Sequence, residues 1–128
     1  MTMLHLKKIL LIFHFFYEIS LAGVLLFAPS LLIETTGLGV SALILNYAVI
    51  SAAVASWSLL LLLGKDDRKV WLSGMSALSI FHGALFVSQL MNAVGGEVAF
   101  FVPVIHGVLA LGFYLSADDE CKLDEKKS

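Results

Sequence analysis

The side chains able to do chemistry are few in this chain, and they stand where charge is costly. His14 and Glu18 lie four positions apart in "FHFFYEIS" (13–20), inside an otherwise apolar run. His82 and His106 each precede a glycine, in "FHG" and "IHG". Helical residues four apart share a face, so His14 and Glu18 project together. Imidazoles and a carboxylate brought to one place can hold a small polar ligand, pass a proton between them, or coordinate zinc or iron.

The elements that must position these groups follow from composition. Of 128 residues, 59% are hydrophobic and 14% charged; a soluble domain carries about a quarter charged. The charges cluster, leaving apolar runs of roughly 20 residues, enough to cross a hydrocarbon core of about 30 Å as a helix. Period-2 alternation, which a membrane barrel strand needs, is absent. The expected fold is therefore all-α: an integral membrane four-helix bundle, antiparallel, with spans at about 8–31, 41–64, 70–93 and 97–117. Residues 1–117 form one transmembrane domain in this reading, and 118–128 a polar, disordered cytoplasmic tail.

Three short connections separate the spans. "ETTGLG" (34–39) and "NAVGGE" (92–97) carry turn residues, and "GKDDRK" (64–69) is a charged hairpin. All eight Lys and Arg fall near the N-terminus, in the second connection or in the tail. The positive-inside rule then places both termini and the second connection in the cytoplasm. Lys7 and Lys8 before an apolar stretch resemble a secretory signal, but about 20 apolar residues exceed the usual h-region of 7–15 and no A-x-A site follows, so the segment is expected to stay as the first span. Cys121, the lone cysteine, has no internal partner and is expected to be a free thiol. No basic face suits nucleic acid.

Depth along the spans then groups the ionisable residues. At about 1.5 Å per residue, Glu18 lies roughly 15 Å beyond Lys8, His82 roughly 19 Å beyond Lys69, and His106 about 14 Å from Glu97. Glu18, His82 and His106 thus share nearly one depth, with His14 shallower at about 9 Å. A charged group at mid-membrane costs about 2.5–3.5 kcal/mol, which turns it inward toward partners. Ser51 falls near the same depth on the second span, in a small-residue stripe with Ala48, Ala52, Ala55 and Ser58 that allows close helix packing. Gln89 shares the stripe of Ser79, His82 and Phe86, and Asn46, Gln89 and Asn92 lie toward the outer mouth. Pro103 is expected to kink the last span and free the carbonyl of Ala99. Taken alone, His14 reads as a simple helix–helix hydrogen bond.

These residues support several functions. The leading expectation is a midplane site of Glu18, His82 and His106, with His14, Ser51 and Gln89 beside it, that binds a small ligand or relays protons. An alternative is a metal or haem site on His82, His106 and Glu18. A third is a non-catalytic accessory subunit of a homo-oligomer or larger membrane complex, in which the polar cluster only sets helix register. An enzyme is the weaker reading: there is no HExxH, no phosphate-binding glycine loop and no Ser-His-Asp order.

The end of the first span, "LAGVLLFAPSLLIETTGLG" (21–39), resembles the small four-helix bacterial membrane proteins of the DoxX-like group, whose first helix carries a glycine and ends at a proline before a glycine-containing loop; Gly23, Pro29 and Gly37 carry the match. The resemblance implies a four-span fold in a bacterial inner (plasma) membrane and a redox accessory role. It carries over no catalytic residue, and the second span here lacks the basic residue expected of that group.

Overall fold

A computed structural model of the chain describes residues 3–31, 43–64 and 67–125. The expected first connection at 34–39, with Gly37, lies outside the described residues, as does the side chain of Asn46. The regular structure of the described residues is all helical, without strands. The long helices are α1 (Met3–Phe27), α2 (Leu43–Leu63), α3 (Arg68–Val94) and α4 (Phe101–Glu125).

Local chemistry sets the boundaries. Asp67 caps α3, its carboxylate accepting from the backbone N–H of Lys69 at 2.9 Å and of Val70 at 3.3 Å. At the other end of α3, Gly96 takes φ +79°, a conformation that a Cβ would strain. It lets Gly96 N donate to Ala93 O at 3.1 Å and Glu97 N to Asn92 O at 2.8 Å, which satisfies two carbonyls the helix leaves open.

Two expectations change here. Pro103 does not kink a span, because α4 begins at Phe101 and puts the proline in its first turn. A first-turn residue has no intrahelical acceptor for its N–H, so proline loses nothing there. The carbonyl of Ala99 is not freed but accepts from Val102 N at 3.0 Å. The segment 118–125 is helical rather than disordered: α4 runs on to Glu125, with neither glycine nor proline after Gly112 to stop it.

The helices pack as two close pairs. α1 lies along α2, and α3 along α4, while the pairs approach one another at far fewer points. The small stripe explains the first pair, since Ala48, Ser51, Ala55 and Ser58 are all buried. In the second pair Gly107 lets the Phe86 ring lie against α4, and Ser79 Oγ donates to Ala110 O at 2.9 Å. Between the pairs runs a wider seam filled by large side chains, among them Leu11, Trp71, Met75, Leu109 and Phe113.

Gly74 lies under Leu61 where α3 meets α2; a Cβ there would come within 2.6 Å of a Leu61 methyl. Gly74→Leu should therefore overpack this end of the seam and lower stability by about 1–3 kcal/mol, read as a fall in unfolding midpoint of the purified protein.

Candidate functional site

At the middle of the seam four ionisable side chains meet, one or more from each of three helices. His14 and Glu18 come from α1, His82 from α3 and His106 from α4; each is buried, His14 and His82 completely. α2 adds Ser58, also fully buried. The i, i+4 spacing that puts His14 and Glu18 on one face of α1 is what aims both into the seam.

The contacts form a chain. His14 Nδ1 is 2.6 Å from Ser58 Oγ. His14 Nε2 is 2.7 Å from His82 Nε2. His82 Nδ1 is 3.1 Å from His106 Nδ1. Two bare lone pairs cannot face each other at such distances, so each nitrogen pair shares one proton. With neutral rings only two orders satisfy all three contacts. In one, Ser58 donates to His14, His14 to His82, and His82 to His106. In the other every donor reverses, and the Ser58 hydroxyl turns to the Val54 carbonyl, 3.4 Å away.

Glu18 sits against the middle of this chain. Its Oε1 is 3.6 Å from His14 Nε2 and 3.8 Å from His82 Nε2. Those three atoms form a triangle with sides of 2.7, 3.6 and 3.8 Å. The point equidistant from its corners lies about 2.0 Å from each, the distance zinc takes to imidazole nitrogen and carboxylate oxygen. Among the described residues, His14, Glu18 and His82 are the group whose donor atoms lie close enough to share an ion.

The far nitrogens of the two imidazoles are held as well. With both Nε2 atoms on an ion, each ring carries its proton on Nδ1, and Ser58 Oγ and His106 Nδ1 stand ready to accept. Such outer partners fix tautomer and ring orientation in metal sites. Phe113, fully buried, packs its edge at 87° to His14 and its face nearly parallel to His82, with centroids 4.9 and 5.9 Å away.

The remaining sequence candidates fall elsewhere. Ser51 is buried on α2, two turns from Ser58. Gln89 is buried seven residues past His82, about 10 Å along the helix, and its Oε1 accepts from Asn92 Nδ2 at 3.4 Å. His106 touches His82 but belongs to the outer ring of the donor triangle, where His14 takes the third corner. A haem between His82 and His106 does not fit: their rings lie 22° from parallel with centroids 5.3 Å apart, which leaves no slot for a macrocycle. Ser58, expected only in the packing stripe of the second span, and Phe113, on the stripe of His106, join the site as well; a depth count pairs Ser58, seven residues before Lys65, with His14, six after Lys8.

Comparison with family models, curated proteins and solved structures finds no match to this chain. The site must therefore speak through its own geometry.

Ser58→Ala removes the partner of His14 Nδ1 and should cost about 1–3 kcal/mol of stability, the penalty for an orphaned buried polar group. In a His14→Phe background the same change should cost little. Equilibrium unfolding of the four proteins of this double-mutant cycle checks the coupling.

Proposed function

We propose that this chain is a four-span antiparallel bundle, both termini cytoplasmic, whose His14–Glu18–His82 triad binds a divalent transition-metal ion inside the membrane. Two helices, Leu6–Phe27 and Arg68–Val94, are long and apolar enough to cross a bilayer. Tyr47–Leu63 and Phe101–Ala117 are shorter apolar helices, near the lower limit of about 17 residues for a span. The distribution of side chains supports the bilayer setting. Phe13, Phe16, Ile80, Val87, Val104 and Val108 point outward, while histidines, a glutamate and a glutamine are buried. Water would penalise that arrangement and lipid favours it. The DoxX-like resemblance implies the same architecture and belongs to the proposal.

The metal reading is carried by one observation: three donors from two helices surround a common point at coordination distance, each imidazole being anchored through its other nitrogen. Two imidazoles and a carboxylate are the donor set of several zinc enzymes and of non-haem iron sites, both of which keep positions open for an outside ligand. A second reading is favoured by the unbroken Ser58–His14–His82–His106 chain, in which protons can shift in step from one order to the other. In that reading Glu18 supports the charged form of the chain, and the protein handles protons without a metal.

Elemental analysis and Co2+ titration separate the two. The metal reading expects one ion per chain, and His14→Ala or His82→Ala should weaken binding by about 100-fold or more, beyond the 10–100-fold typical of an outer-shell change. Ser51→Ala and Gln89→Leu should leave affinity unchanged. Metal binding that survives loss of His14, Glu18 and His82 together would defeat the assignment.

A further inference from the structure

The charges around the donor triangle do not balance once an ion is in it. Two neutral imidazoles bring no charge and Glu18 brings one negative charge, so a divalent ion on His14, Glu18 and His82 keeps one unit of positive charge uncompensated. Among the described side chains the other carboxylates are Asp67 and Glu97, both exposed beside the ends of α3. Of the other buried ionisable groups, His106 takes part in the chain as a neutral ring, and Lys7 is a cation two turns before His14. Neither supplies negative charge.

The outer partners do not supply it either. In many metal sites a histidine ligand gives its second N–H to a carboxylate, which adds negative charge behind the ring. Here those places belong to Ser58 Oγ, 2.6 Å from His14 Nδ1, and to His106 Nδ1, 3.1 Å from His82 Nδ1. A hydroxyl and an imidazole orient the ligands and leave the charge as it was. His14, Ser58, His82 and Phe113 are fully buried, so water does not screen a charge among them. Glu18 Oε1 stands 3.6 and 3.8 Å from the two Nε2 atoms, beyond hydrogen-bond length. A buried carboxylate held at that distance suits a cation, and a divalent cation with one carboxylate suits an anion.

We propose that the ion in the His14–Glu18–His82 site takes a small, singly charged anion as its fourth ligand, and that the site selects such an anion over neutral molecules. This rests on the metal reading above and names the class of outside ligand. One negative charge makes the ion, Glu18 and the anion neutral together. A neutral ligand leaves the charge uncompensated, and a dianion reverses its sign. Zinc with three protein donors keeps one position open, so it takes one anion. Where the medium offers no better anion, water fills the position and gives one proton to the medium, leaving hydroxide. Bound zinc makes its water acidic enough for this near neutral pH. The anion is small because the three donors and Phe113, which lies against both rings, are at most 2% exposed, so the ligand must fit within the packed seam.

Ligand titration of the full chain loaded with Co2+ tests this. Azide, singly charged, should alter the visible spectrum and saturate at one per ion. Imidazole, which is neutral, and sulfate, a dianion, should bind about tenfold or more weakly than azide. Glu18→Gln removes the one negative charge the site holds, so it should weaken Co2+ binding yet tighten azide on the loaded site by about tenfold. A Glu18 that only props the rings would weaken both. Zn2+ binding without coordinating anions should release one more proton per ion than binding in saturating azide, which marks hydroxide as the ligand drawn from water. A loaded site whose spectrum ignores azide, with equal proton release in both buffers, would overturn the inference, and so would imidazole binding as tightly as azide. If no Co2+ spectrum forms, the metal reading fails and takes the anion with it, a result distinct from a loaded site that ignores anions.

Discussion

An ionisable side chain in an apolar interior must find a partner or it costs several kcal/mol, and the organisation of this protein follows from that constraint. His14, Glu18, His82 and His106 are buried together because none can be buried alone. Ser58 completes the set by giving His14 Nδ1 a contact at 2.6 Å. The result is a polar knot whose every link crosses between helices, apart from the His14–Glu18 pair within α1. Such knots define a single arrangement, since sliding any helix by a turn leaves several groups unpaired at once.

The knot also needs room, and the packing provides it in one place. Small residues bring α1 against α2, and Gly107 does the same for α3 and α4. Helices drawn that close leave no space for two imidazoles and a carboxylate. The seam between the pairs is wide enough, so the polar groups and the bulkiest apolar ones, Trp71, Phe113 and Met75, collect there. Phe113 links the two kinds of filling, since it lies against both His14 and His82. The residues that would hold an ion are therefore also residues that join the two halves, His14 and Glu18 from one pair and His82 from the other.

The same atoms serve the proton-sharing and metal-binding readings, and that is a consequence of imidazole chemistry. A bare Nε2 accepts a proton or a metal, and the proton shared between His14 and His82 occupies the space an ion would take. Exchange of one for the other asks only that protons move to the Nδ1 side, where Ser58 and His106 accept them. The flanking partners remain engaged in both states.

Composition, charge placement and spacing determined that the described residues are helical, that breaks fall near residues 64–69 and 92–97, and that His14 and Glu18 share a face. Those features are local: they follow from helix periodicity, from Asp67 and Gly96 at the ends of α3, and from the cost of charge in apolar runs. Which groups touch was not local. Counting depth from Lys8 set His14 apart from His82 by roughly 10 Å, yet their Nε2 atoms lie 2.7 Å apart. Lys8 is a poor origin, because α1 starts at Met3 and Lys7 is already buried. Measured from the helix starts the two histidines differ by about one turn. The place of His14 in the donor triangle, the outer role of His106 and the part played by Ser58 depend on how four helices divide into two pairs. That division arises from side-chain volume matched across different helices, which no stretch of one helix encodes.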